Sequence, residues 1–166
     1  MLSNIFPTGN NKNSINIASS STLDDPFYRY KMPKIILKHE GKGNGVKTVL
    51  KNLKEVSKSL SRDVNDLLQY IASELSVCSL QRSDDFIVNG TFKEDIIQDI
   101  IYRFICSHVL CDVCENPETT LVTITSKKKK DTDTPIYKIC AACGNKSQVK
   151  KHKINKRIKT TKLESL

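Results

Sequence analysis

The stretch CDVCENPETTLVTITSKKKKDTDTPIYKICAACG, residues 111–144, decides the fold. It opens and closes on Cys-x-x-Cys, with 25 residues between the two pairs. Such a turn aims two thiolates at one point. Two of them, joined by a hairpin, supply the tetrahedral four-sulfur shell that zinc prefers. TTLVTITS (119–126) and PIYKIC (135–140) read as the strands, and KKKKDTDT as an exposed loop between them. With Cys111, Cys114, Cys140 and Cys143 all filling the shell, no position stays open for water or substrate. The expected cofactor is therefore one structural Zn2+ per chain. A unit of roughly 40 residues holds too little core by itself, and metal binding contributes folding free energy on the order of 10 kcal/mol. A redox pair would not need a second Cys-x-x-Cys at this spacing, and no apolar signal-like run favours a disulfide-forming compartment. Cys78 and Cys106 lie outside the pattern and are expected to be small buried hydrophobes. His108 and His152 stand near the cluster, but four sulfurs complete it without them.

Upstream, KIILKHE (34–40) and VKTVLKNL (46–53) flank GKGNG, and Asn44-Gly45 is a strong turn dipeptide, which predicts a hairpin. LKEVSKSL places Leu53, Val56 and Leu60 at helical spacing. Ser61 is the expected cap of a second helix carrying Val64, Leu67, Leu68, Ile71 and Leu75. FIVNG (86–90) reads as a short strand. The clearest amphipathic stripe follows in Phe92, Ile96, Ile97, Ile100, Ile101, Phe104 and Ile105. The expected class is α+β: a small mixed sheet-and-helix domain followed by a four-cysteine zinc ribbon of antiparallel β. The expected divisions are a flexible leader (1–23), the α+β domain with a mobile FYRYKMP segment (24–107), the ribbon (108–150) and a basic tail (151–166).

The chain carries 27 Lys and Arg against 18 Asp and Glu, a formal net charge of +9. Residues 150–166 hold Lys150, Lys151, Lys153, Lys156, Arg157, Lys159 and Lys162 against Glu164 alone. A localised excess of this kind suggests a polyanion partner, with nucleic acid the first candidate, beside a plain solvated tail. No apolar run approaches the roughly 18–20 residues of a membrane span, so a membrane role is not expected, and the chain is expected to act in the cytoplasm as a monomer. GKGNGVKT (41–48) is not a P-loop: Val46 separates Gly45 from Lys47, and a strand follows where a helix should begin. A positive loop contacting phosphates or acidic groups on a partner, through Lys42 and Lys47, remains open beside a plain hairpin tip.

DDPFYRYKMPK (24–34) sets Arg29 between two tyrosines in a segment too poor in aliphatics for a core. Together, DPFYRYKMP (25–33), GKGNGVKT, VNG (88–90), VLCDVCENPET (109–119) and CAACG (140–144) closely resemble the N-terminal half of the translation initiation factor 5 family. The β subunit of initiation factor 2 shares the wider architecture but lacks the FYRYKMP segment. The resemblance implies a GTPase-activating protein for initiation factor 2, whose γ subunit holds GTP and delivers initiator tRNA to the small ribosomal subunit. No GTPase of its own is expected. The resemblance also places the family's hydrolysis-promoting arginine at Arg29 and lysine at Lys47. Such arginines, presented in trans, accelerate hydrolysis by about 10³–10⁵-fold. Phe27, Tyr28, Tyr30 and Met32 are then expected to grip the partner, the alternative being an aromatic clasp folded back on the domain's own sheet with Arg29 solvated. The chain departs from the family at Gln69, where a lysine stands, and at Ser76, where a glycine stands. Where the family continues into an acidic linker, residues 150–166 of this chain are basic, opposite in sign. The competing expectation is a ribosome- or RNA-binding module resembling the β subunit of factor 2, with no activating role.

Overall fold

The computed structural model of the protein describes residues 14–17, 25, 27–125 and 135–164. Ser14–Asn16 (β1) pairs antiparallel with Lys31–Pro33 (β2), Ile15 opposite Met32. The Ile17 N–H extends the ladder to the Tyr30 carbonyl at 2.9 Å. Two expectations are corrected by this pair. Part of the stretch expected to be a flexible leader is a strand, and the MP end of FYRYKMP is its partner. The cause is local: Ile17 and Met32, each 1% exposed, are the apolar side chains this polar stretch contributes to the core.

Leu37–Glu40 (β3) and Lys47–Leu50 (β4) form the expected hairpin, with Glu40 opposite Lys47. Its loop closes through a 3-10 turn at Gly43–Gly45, and the positive φ angles fall on Gly41 and Gly43 rather than on the Asn44-Gly45 dipeptide. Gly41 is obligatory: a Cβ there would lie 2.5 Å from the Gly45 carbonyl oxygen, at φ +93°.

Leu53–Ser59 (α1) and Val64–Leu75 (α2) follow. Asp63, not Ser61, caps α2, its carboxylate accepting the Asn65 N–H at 2.8 Å. Ser61 instead takes the left-handed conformation that turns the chain between the helices. Ser79–Arg82 (β5), which its sequence did not announce, pairs with Asp85–Asn89 (β6), giving an antiparallel sheet of order β3-β4-β6-β5. SLQR has only one apolar residue, and backbone pairing to a buried strand holds it there. Glu94–Phe104 (α3) buries Ile97, Ile100, Ile101 and Phe104 and leaves Ile96 exposed. A π turn at Ile105–Val109 carries the chain directly to Cys111.

The second sheet is built from Thr119–Thr125 (β7), Ile136–Cys140 (β8), Lys146–Gln148 (β9) and Thr161–Glu164 (β10), in the order β10-β7-β8-β9. The lysine-rich loop of residues 126–134 lies outside the described residues. Three strands are antiparallel, as a ribbon requires, while β10 runs parallel to β7. β10 comes from the segment expected to be a free tail. Ile154 and Ile158, spaced four apart around a 3-10 turn, bury themselves in the core and draw this segment back onto the fold. The fold is α+β with a four-cysteine ribbon, and its core is continuous: Leu121, Ile136 and Val149 of the ribbon join Ile97, Ile101 and Phe104 of the helices.

Candidate functional site

The four ribbon cysteines converge. Their Sγ atoms all lie within 4.8 Å of one another, with Cys111–Cys143 and Cys114–Cys140 each at 3.6 Å. A tetrahedral shell with metal–sulfur bonds of about 2.3 Å sets neighbouring sulfurs about 3.8 Å apart, so the donor set fits a metal ion. The two turns are built alike. Cys111 N–H donates to Asn116 O and Cys140 N–H to Asn145 O, each at 3.0 Å. Glu115 N–H returns to Cys111 O and Gly144 N–H to Cys140 O, with both residues left-handed. Burial opposes ionisation of Cys111, but the amides of Cys114 and Val113 and the neighbouring thiols more than offset it, and its thiol falls to about 6. Cys114 goes the other way: the Asn116 amide acts to lower it, but the bonds with Cys143, Cys140 and Cys111 outweigh that and push its thiol up to about 12, so the four cysteines do not ionise alike.

His108 and His152 have other partners. His108 is buried, stacked on Phe104 at 5.0 Å, with its ring nitrogens 2.6 Å from Ser107 Oγ and 3.2 Å from Asn155 Oδ1. His152 stacks on Tyr70 at 4.5 Å and reaches Glu74 at 3.1 Å. Cys78 and Cys106, expected inside, are both exposed. Cys78 enters the edge strand β5, and Cys106 sits on the outer side of the π turn.

The aromatic segment lies against the first cysteine turn. Tyr28 and Tyr30 meet edge to face at 5.8 Å and, with Cys114, Glu115 and Asn116, line a cavity of ≈130 Å³. The Tyr30 hydroxyl donates to Glu118 Oε1 at 2.7 Å. Burial, helped by Tyr30 and Glu115, raises the Tyr28 phenol above its ordinary value. Between these inward tyrosines Arg29 is exposed, its guanidinium carbon 5.7 Å from the Tyr30 ring centre, and Phe27 is 92% exposed. Met32, spent on the core, and Tyr28 and Tyr30, turned toward the chain's own cysteine turn, depart from the set of side chains expected to grip a partner, which leaves Phe27.

Lys42 is exposed in the hairpin loop, and Lys47 is half-buried at the start of β4, on a different element from Arg29. Of the basic C-terminal residues, Lys150, Lys151, Lys153, Lys156 and Arg157 are on the outside of the fold. Lys159 turns to the protein: its ammonium bonds Asp63 and its N–H donates to Asp66 at 3.1 Å. This junction opens onto a cavity of ≈370 Å³, also lined by Arg62 and Thr119. Arg62 donates there to His108 O at 2.8 Å and Thr119 Oγ1 at 2.7 Å, and burial lowers its guanidinium to about 10. Sequence reasoning missed Glu118, Lys138 and Arg62. A charged residue inside a strand or at a helix start carries no periodic signal of the partner it will meet.

A family model for the domain found in initiation factors 2B and 5 matches residues 20–146. The chain is 40% identical over 145 residues to eukaryotic translation initiation factor 5 of Drosophila melanogaster, covering 86% of this chain and 30% of that protein. It is 41% identical over 141 residues to the Mus musculus factor, covering 84% and 31%. For the Saccharomyces cerevisiae factor the identity is 39% over 146 residues, covering 86% and 34%. The chain spans about a third of the length of these curated relatives. Both cysteine turns lie inside the matched region, as does the segment bearing Arg29, and the chain belongs to the family of this shared initiation-factor domain, with the initiation factor 5 proteins among its relatives.

Proposed function

We propose that the protein is an initiation factor 5-type GTPase activator that stimulates hydrolysis by initiation factor 2 on the small ribosomal subunit, at start-codon selection in the cytoplasm. Arg29 enters the GTP pocket of the γ subunit and neutralises charge building on the phosphoryl oxygens, and Lys47 assists from the hairpin. The observation that carries this reading is the division of labour within residues 27–30. Both tyrosines turn inward onto the ribbon, while the guanidinium between them and the Phe27 ring stay in solvent. Arg29 is thereby held on a fixed base and remains available in trans. The protein supplies this group without hydrolysing nucleotide itself.

The metal held by Cys111, Cys114, Cys140 and Cys143 is Zn2+, given four thiolates and a closed tetrahedral shell. It is structural, and chelation is expected to unfold the ribbon. Lys42 contributes to the partner contact, and Lys150, Lys151, Lys153, Lys156 and Arg157 contact ribosomal RNA. Lys159, assigned with them on sequence, is engaged by Asp63 and contributes less.

A second reading has its own observation. The Arg29 guanidinium lies over the Tyr30 ring of its own segment, as it would in a binding module without activating function. Single-turnover GTP hydrolysis in a reconstituted initiation complex separates the two. Arg29→Ala should slow hydrolysis by about 10²-fold or more, and Arg29→Lys should not rescue it, because lysine lacks the planar fork. Equal rates for wild type and both variants would leave only the binding module.

A further inference from the structure

Glu118 joins three parts of the chain. Its carboxylate accepts the Tyr30 hydroxyl at 2.7 Å, across 88 residues of sequence. Its own N–H donates to Asn116 Oδ1 at 2.8 Å, at the base of the first cysteine turn. Its carbonyl accepts the Ala141 N–H at 2.9 Å, inside the second. The side chain that receives Tyr30 is therefore fixed by both halves of the four-cysteine site. On the far side, residues 25–30 are anchored by β2 and by a turn in which Asp25 accepts the N–H groups of Phe27 and Tyr28 at 2.9 and 3.2 Å. Between the two anchors, Tyr28 faces residues 114–116 across the cavity they share.

We infer that Glu118 is a positioning residue that latches the Arg29 segment onto the cysteine turns, so that metal occupancy of the ribbon governs how Arg29 is presented. The turns hold their shape when a metal draws the four sulfurs together. Glu118 and the surface of residues 114–116 then form a rigid floor, and Tyr30 closes onto it. When the turns loosen, Glu118 loses both of its backbone restraints, and the segment stays tethered only at β2. The functional consequence of the latch rests on the reading of Arg29 given above. The coupling of metal to segment does not.

The test uses the metal-loaded full chain and follows tryptic cleavage after Arg29 by mass spectrometry. Cleavage after Arg103 on α3 reports any general loosening of the fold. Tyr30→Phe and Glu118→Ala are expected to speed cleavage after Arg29 by about 5–10-fold without changing cleavage after Arg103, the effect of losing one charge-assisted hydrogen bond on local opening. Glu118→Gln keeps an acceptor oxygen and should recover most of the protection. The double variant should cleave no faster than the faster single one, because both remove the same bond. A chelator should speed cleavage of the wild-type protein at least as much.

Unchanged cleavage in Tyr30→Phe and Glu118→Ala would overturn the latch, and so would indifference to the chelator or failure of Glu118→Gln to rescue. The two proposals fail separately. If Arg29→Ala slows hydrolysis while these variants leave cleavage untouched, the latch falls and the activator stands. If cleavage responds but Arg29→Ala hydrolyses normally, the reverse holds.

Discussion

The Lys138 ammonium lies 2.7 Å from the Asp112 carboxylate and 2.8 Å from the Leu110 carbonyl, with the lysine 2% exposed. Asp112 follows the first cysteine of one turn and Lys138 precedes the first cysteine of the other by two residues, so the pair ties the turns together. Lys138→Met keeps the length of the stem, loses both bonds and leaves the buried Leu110 carbonyl without its donor. Denaturant unfolding of the metal-loaded protein should show a loss of about 1–3 kcal/mol. Burial acts to raise the Asp112 carboxyl, but the bonds from Lys138 and Ser147 outweigh it and hold the group below its ordinary value. The pair's contribution is therefore complete above about pH 4 and is lost as the pH falls further. A variant within about 0.5 kcal/mol of wild type would show that this bond adds little.

Ser76 ends α2 at φ +55°, its N–H bonding the Ala72 and Ser73 carbonyls. The left-handed region costs an L side chain roughly 1 kcal/mol that glycine avoids. Ser76→Gly is expected to raise stability by about 0.5–1 kcal/mol, read as a higher thermal midpoint. A lower midpoint would mean that the exposed Ser76 side chain makes a contribution larger than the backbone strain it brings.

Burial holds the His108 imidazole down to about 4, despite the opposing hydrogen bond its ring donates to Asn155 Oδ1. The folded protein keeps this ring neutral while the unfolded chain protonates it near 6.5. Its contribution is thus complete above about pH 6.5 and drains away as the pH falls toward 4, by about 3 kcal/mol in all. His108→Gln should flatten the dependence of unfolding free energy on pH between about 7 and 5, measured with the metal bound. Identical slopes in the two proteins would place the pH sensitivity elsewhere.

Because Ile154 and Ile158 belong to the core, removing residues 151–166 conflates stability with charge. Ile158→Ala alone should cost about 2–4 kcal/mol in chemical denaturation. Substituting alanine for exposed Lys150, Lys153, Lys156 and Arg157 should leave stability within about 0.5 kcal/mol per site. The same substitutions should flatten the salt dependence of ribosomal RNA binding, by about 0.7–0.9 in slope for each phosphate no longer neutralised. An unchanged salt slope would remove this face from the RNA interface.

Periodicity and spacing are local properties, and they carried much of the architecture. The two Cys-x-x-Cys turns, the β3–β4 hairpin and the stripe along α3 can each be read within a few consecutive turns of chain, because their residues act on near neighbours or converge on one point that could hold a metal ion. Tertiary structure alone decided the rest. SIN and SLQR became strands because a neighbouring strand offered unpaired backbone groups, not because of their own composition. The basic C-terminal segment looked like a tail because its lysines dominate the count. Yet Ile154 and Ile158 found a core to enter, and β7 still had an open edge for β10 to pair with. Met32 went inward and Arg29 outward for the same reason. Which side chain meets water depends on the surface each part of the segment lies against: α1 beside β2 for Met32, and the first cysteine turn, about 85 residues later in the chain, for the tyrosines that flank Arg29.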